Sequence, residues 1–237
     1  MKPPASDVAA QVSPQEIRQV DRVLRRAYGV PQARRTAGDA LGGLVGTILS
    51  QHTSAANSSR AYENLRRAFP RWSDVARASE AAIARAIGIG GLSRTKSKWI
   101  RQLARNLTTP AGRQWLASLS RMRAVAALEA LQALPGVGLK TAACVLLFDL
   151  GKPVFPVDTH IHRIARRLRW LPLSATAEQT GRALDTLVPN LVKYSLHVNL
   201  VRHGREICLS RVPRCSICPI EQHCQQVGVA RPRIGEV

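Results

Sequence analysis

The chain has 237 residues, 45% hydrophobic but only 4% aromatic, enough for one or two compact domains whose core is mostly Ala, Leu, Ile and Val. A formal net charge of +20 and a pI near 11.4 point to a polyanionic partner, nucleic acid first; the alternative is a basic surface kept for solubility or a ribosome-associated role. No apolar run approaches the ~20 residues that span a membrane, and no signal-type stretch follows Met1, so a membrane protein is excluded and a reducing, intracellular compartment is expected.

In chain order, residues 1–12 are expected to be a flexible tail. Ser13-Pro14-Gln15-Glu16 then supplies an N-cap serine, proline at the first helical position and a capping-box glutamate, so a helix should run to about Ala27. The apolar stretch Asp39 to Gln51 predicts a buried helix. Further helical patterns cover about Ala55–Phe69, Ser73–Ala86, Lys96–Leu107 and Arg121–Leu134, then 139–149, 159–168, 176–187 and 191–207. Thr176 to Gln179 is a second capping box. Strand-type alternation is almost absent, and the predicted class is all-α.

Between two of these helices lies Leu134-Pro135-Gly136-Val137-Gly138-Leu139-Lys140-Thr141-Ala142-Ala143. Its glycines let the backbone approach a ligand, and the new helix end aims main-chain N–H groups outward, which suits phosphate without reading base sequence. Alone, the segment is a helix–turn–helix corner; on a chain of this charge it reads as a grip on DNA. Lysine occurs at only six positions (2, 96, 98, 140, 152 and 193), arginine supplying the other basic residues. Lys140 sits in the first turn of the second helix, where the dipole disfavours another positive charge, and a lysine amine so placed can form a Schiff base. The plainer alternative is a phosphate-contacting or solvated lysine. Downstream, a proline-bearing loop delivers Asp158 to the start of the next helix. There it can be an N-cap, or a carboxylate that accepts a proton or stabilises a cation.

Four of the five cysteines, Cys208, Cys215, Cys218 and Cys224, fall within seventeen residues as C-x6-C-x2-C-x5-C. Four thiolates so close can surround one soft metal centre. A zinc ribbon offers two separate C-x2-C knuckles, whereas a broad loop with one x2 step suits a cluster of four irons and four sulfides; zinc and disulfides stay open on spacing alone. Cys144, on an apolar helix, reads as a buried core thiol.

Together these pieces resemble the helix-hairpin-helix, Gly/Pro-loop, aspartate superfamily of DNA base-excision glycosylases, and within it the endonuclease III family. The resemblance rests on Ile48-Leu49-Ser50-Gln51-His52-Thr53, Gly91-Leu92 followed by Lys96, the hairpin at 134–143, Val157-Asp158-Thr159-His160, His203-Gly204-Arg205 and the cysteine loop, spanning about residues 14–225. It implies two helical domains flanking a DNA-binding cleft. One is a six-helix barrel at 36–150, with the helix-hairpin-helix at 124–150. The other, built from 13–35 and 151–237, is an iron–sulfur domain in which the four cysteines hold a 4Fe-4S cluster. It also implies a monomer acting on damaged double-stranded DNA, in the cytoplasm with the nucleoid. The reaction would flip a damaged base out of the duplex. Lys140 would attack C1′ of the sugar with help from Asp158, and β-elimination would then cut the strand. Oxidised pyrimidines would be the substrates. By the same resemblance Gln51 would fill the vacated stack, or else cap its helix, and Leu92 would wedge the opposite strand, or else be core. Gly136, Val137, Gly138, His160, Arg211 and Arg214 would contact DNA, although both arginines also read as ordinary solvated side chains.

Lys140 and the short segment after Cys224 separate the chain from the adenine glycosylases of the superfamily, and the cysteine loop separates it from most alkylated-base glycosylases. Two departures bear on base preference: Ser54-Ala55-Ala56 stands where the family usually has an acidic residue, and no aromatic follows Leu92. Mismatch or uracil removal, or mainly AP-lyase work on the same scaffold, is therefore the second enzymatic reading. A noncatalytic, cluster-stabilised DNA-binding protein is the rival from another class. His162, two residues after His160, is expected on a basic face.

Overall fold

The computed structural model describes residues 11–32 and 39–229. Among them lie twelve α-helices and no strand. These are α1 (Pro14–Tyr28), α2 (Ala40–Leu49), α3 (Ala55–Ala68), α4 (Trp72–Arg77), α5 (Glu80–Ala86) and α6 (Ser93–Leu107). They continue as α7 (Pro110–Leu119), α8 (Ala124–Gln132), α9 (Leu139–Cys144), α10 (Thr159–Arg167), α11 (Ala177–Leu187) and α12 (Lys193–Glu206). The chain divides into two compact units, Arg34–Lys152 and Met1–Ala33 with Pro153–Val237. No helix among the described residues is long and apolar enough to cross a membrane.

The contiguous unit is organised around α2, whose Leu41, Leu44, Val45, Ile48 and Leu49 are all buried. Helices α3, α6 and α9 pack on it. Helix α9 gives way at Val145–Asp149 to a π-helical turn in which the Leu150 N–H donates to Val145 O at 3.1 Å. That wider turn is why the helix predicted over 139–149 is α-helical only to Cys144. Cys144 is buried, as expected.

The split unit is held by one amphipathic helix from each end of the chain. Ile17, Val20 and Leu24 of α1 join Ile161 and Ile164 of α10, Leu184 of α11, and Leu196 and Leu200 of α12 in one core. The Ser13 hydroxyl accepts from the Glu16 N–H at 3.2 Å, and the Glu16 carboxylate accepts from the Ser13 N–H at 2.8 Å, which closes the predicted capping box.

Three boundaries differ from the sequence reading. The helix expected over 73–86 is two helices, because Ala78 is extended and the Ser79 hydroxyl starts α5 by accepting from Ala82 N–H. Helix α7 was not anticipated, although Thr109 caps it and Pro110 opens it. Of the expected tail, residues 1–10 lie outside the described residues. Gln11 is tied to the Trp170 carbonyl at 2.9 Å and Val12 packs on the core, so the docked chain begins before the capping box.

Candidate nucleic-acid interface and cysteine loop

The turn between α8 and α9 is built by groups of its own unit. Gly136 has φ +75°, and a Cβ there would lie 2.5 Å from the Trp99 ring of α6, so both backbone and space require glycine. Val137 is 5% exposed, and its N–H donates to Leu134 O at 3.2 Å. Its side chain therefore anchors the turn, while Gly138 is exposed. Gln51 Nε2 donates to Gly136 O at 3.0 Å and to Thr141 Oγ1 at 3.1 Å. Gln51 thus braces the hairpin and does not cap α2, whose C-cap is Ser50. Lys140, the second residue of α9, is half-buried.

Before α6 the chain makes a 3-10 turn, Gly88–Gly90, and reaches Leu92 in the left-handed region (φ 50°, ψ 32°). Leu92 is 55% exposed, so it is not a core residue. Ser54, where the family usually places an acid nearby, caps α3 by accepting from Asn57 N–H at 3.2 Å.

In the split unit, the approach to Asp158 is pinned at each step. Lys193 Nζ donates to Pro153 O, Asp185 O and Asp185 Oδ1, each at 2.7 Å. The Phe155 N–H donates to the same carboxylate oxygen at 2.7 Å, and Val154, Phe155 and Val157 are buried. Asp158 is the N-cap of α10, its Oδ1 accepting from Ile161 N–H at 2.8 Å. Capping occupies one carboxylate oxygen in this way and fixes the side chain at the helix start.

The cysteine loop leaves α12 and contains two short 3-10 turns, Cys215–Ile217 and Glu221–His223. No cysteine forms a disulfide. All four thiols of the loop line one cavity together with Ile164, His203, Ile207 and Ile220. Among the described residues no three His, Cys, Asp or Glu side chains are gathered as a site for a metal ion. Burial pushes the Cys218 thiol up to about 11 and also raises Cys215 and Cys224. Donors face the sulfurs: Arg167 Nη1 donates to Cys208 Sγ at 3.2 Å and Gln226 N–H to Cys224 Sγ at 3.4 Å. His203, 1% exposed, has Nδ1 2.8 Å from the Tyr28 hydroxyl and Nε2 3.6 Å from Cys218 Sγ. Burial lowers its pKa to about 4, which favours the neutral ring, held between the Tyr28 hydroxyl and the Cys218 sulfur.

With this geometry in view, the HhH-GPD superfamily profile, described as base excision DNA repair protein, matches residues 45–190. The chain belongs to the HhH-GPD superfamily. An Arabidopsis thaliana protein that carries the provisional name of a DNA glycosylase is 39% identical over 168 residues, which is 71% of this chain but 57% of that protein. Endonuclease III of Thermotoga maritima is 34% identical over 182 residues, 77% of this chain and 81% of the relative. Among solved structures, a non-covalent endonuclease III–DNA complex superposes with a TM-score of 0.77 at 22% identity, covering 91% of this chain and 97% of that one, which shows a shared fold.

In HhH-GPD terms, the hairpin, Gln51, Leu92 and Lys140 lie on the contiguous unit, and Asp158, His160 and the cysteines on the split one. His160 is partly buried against Gly204, where a Cβ would approach to 2.7 Å, and its Nδ1 is 3.1 Å from Arg163 Nη2. His162 does not lie on an open basic face: its Nδ1 meets Thr180 Oγ1 at 2.9 Å. Arg211 and Arg214 are exposed on the first cysteine arm. The sequence reading missed the arginines that hold this arm. Arg163 donates to Gly204 O and Cys208 O, both at 2.8 Å, and Arg167 to Leu209 O and Ser210 O at 2.6 and 2.9 Å. Their spacing of four on α10 was a visible signal of a shared face, but the partners lie more than forty positions away.

Proposed function

We propose that this HhH-GPD protein is a bifunctional DNA glycosylase and AP lyase that removes oxidised pyrimidines from duplex DNA as a monomer. The observation that carries the reading is the contrast among its lysines. Lys96, Lys152 and Lys193 each spend their ammonium on main-chain carbonyls inside their unit. The Lys140 and Lys98 amines have no such acceptor among the described residues; Lys98 is exposed on α6, whereas Lys140 is half-buried in the first turn after the Gly136–Gly138 turn. A half-buried lysine kept there for structure would be expected to share the fate of Lys96, Lys152 and Lys193.

In the proposed reaction the damaged base leaves the stack. The unprotonated Lys140 amine attacks C1′ as the base departs with its bonding pair and takes up a proton. Loss of a proton from nitrogen and opening of the sugar ring give the Schiff base. Removal of a C2′ proton then expels the 3′ phosphate. Asp158, held at the start of α10, assists by stabilising the developing cation on the sugar. Cys208, Cys215, Cys218 and Cys224 would hold a 4Fe-4S cluster, which supplies a rigid scaffold and takes no part in these steps. Four thiols around one cavity, with N–H donors at the Cys208 and Cys224 sulfurs, fit such a group.

The test is borohydride trapping on duplexes carrying thymine glycol, a uracil mismatch or an abasic site, with wild type and Lys140→Gln. An adduct on thymine glycol that vanishes in the variant is expected. Trapping only on uracil would move the specificity to mismatch removal. Trapping only on the abasic duplex would leave a lyase, and no adduct anywhere despite tight binding would leave a DNA-binding protein. Iron and sulfide analysis of the purified chain tests the cluster, and a folded, fully metallated protein holding zinc would overturn it.

A further inference from the structure

Lys96 is 0% exposed and is among the largest fully buried side chains of the described residues. Its ammonium donates to three main-chain carbonyls, Leu49 O at 3.0 Å, Gln51 O at 2.7 Å and Gly90 O at 2.8 Å. No salt bridge holds it among the described residues. A buried cation without a carboxylate is an expensive way to fill a core, and a methionine of similar reach would pack there at less cost. The acceptors explain its presence. Leu49 ends α2, so its carbonyl belongs to the unsatisfied, negative end of a helix, and Gln51 follows directly after the Ser50 C-cap. Gly90 O lies on the separate turn that leads to Leu92. One ammonium, three N–H bonds and two segments more than thirty residues apart meet at a single point.

Those two segments are the ones that present Gln51 and Leu92. Each includes a non-glycine residue in the left-handed region, His52 at φ 52° and Leu92 at φ 50°. Such conformations persist only where surrounding contacts over-determine them. The main chain of Lys96 adds a further tie, its N–H donating to Leu92 O at 2.9 Å. One turn along α6, Trp99 packs on Gly136 of the hairpin, whose carbonyl in turn holds the Gln51 side chain.

We infer that Lys96 is a positioning residue that locks the Gln51 segment and the Leu92 segment into one rigid probe, so that both side chains enter the duplex together. The inference deepens the proposed glycosylase reading and rests on it for the identity of the DNA-entering residues. Lys96 touches no reacting atom; it acts through Gln51 and Leu92.

A double-mutant cycle distinguishes this role from plain core packing. Lys96→Met is placed in the wild-type chain and in Gln51→Ala/Leu92→Ala, with two readouts in each. The first is single-turnover excision of thymine glycol. The second is emission from 2-aminopurine opposite a reduced, uncleavable abasic site, which reports unstacking without chemistry. In the wild-type background a fall of at least ~10-fold in excision and loss of the 2-aminopurine rise are expected, since small misplacements of positioning groups are costly. In the double variant Lys96→Met should cost no more than about 2-fold further, because the residues it acts through are gone. Equal losses in both backgrounds overturn the inference in favour of general stability. Should Lys96→Met not fold, Lys96→Arg, which keeps the charge but cannot converge on three carbonyls, takes its place under the same criterion. Wild type that unstacks 2-aminopurine yet leaves thymine glycol in place overturns the oxidised-pyrimidine specificity, and the emission cycle then decides Lys96. Wild type that leaves 2-aminopurine stacked overturns both.

Discussion

The hairpin turn at Leu134–Gly138 and the cysteine loop at Cys208–Cys224 are both irregular segments that leave a helix, yet they are held in opposite ways. The hairpin is complete within the polypeptide: Val137 is buried beneath it, Trp99 fills the space that Gly136 leaves, and Gln51 satisfies the Gly136 carbonyl. The cysteine loop has only two 3-10 turns of its own, and its four cysteines line one cavity. Arg163 and Arg167 hold its first arm, but burial raises the affinity of Cys215, Cys218 and Cys224 for protons. In the proposed reading, such a segment is finished by the cluster, whose iron would convert buried thiols to thiolates. The hairpin is finished by packing alone.

The most severe way to break that contrast is to remove the metal. Where metal binding is coupled to folding, its binding energy is folding energy. Stripping iron with an oxidant and chelator should therefore abolish hydrogen-exchange protection across 208–224 while 134–144 keeps most of its own, read by mass spectrometry. A stripped chain that protects both equally would end the comparison. Next in size is Gly136→Val. A β-branched residue at φ +75°, driven into Trp99, should cost about 3 kcal/mol in denaturant unfolding and leave the metal content unchanged. The smallest expected effect sharpens the other side. Arg167→Leu leaves the carbonyls of Leu209 and Ser210 without their donor and should cost about 2 kcal/mol in the metal-loaded protein. It should also shift the reduction potential of any bound cluster, since the N–H bond to Cys208 Sγ is lost. An unchanged potential would mean that Arg167 braces the backbone only.

What could be read from the sequence was what is local or periodic. The capping box at Ser13, the G-x-G turn, the Asp158 cap and the cysteine spacing each carry their mechanism within a few residues. Helix α7 carried such a signal too, in Thr109-Pro110, and the start of α5 carried one in Ser79-Glu80. The role of Lys96 had none. A lysine between polar neighbours reads as solvated, and only assembly shows carbonyls 47, 45 and 6 positions away converging on it. Gln51 is similar, since its acceptors lie 85 and 90 positions along the chain. The π-turn after Cys144 replaces one apolar helix by another of different pitch, and hydrophobic composition does not separate the two.

The split unit is made from both ends of the chain, and this has a consequence for synthesis. As the polypeptide leaves the ribosome, α1 emerges before the contiguous unit, but the helices that cover Ile17, Val20 and Leu24 come only after residue 159. The contiguous unit can close on itself in the interval, because everything its core needs is already outside the tunnel. Helix α1 is thus made well before it can be buried. Throughout that delay the nascent chain carries an uncovered greasy stripe, and any stall or premature stop near residue 152 would release a product with one finished half and one adhesive end.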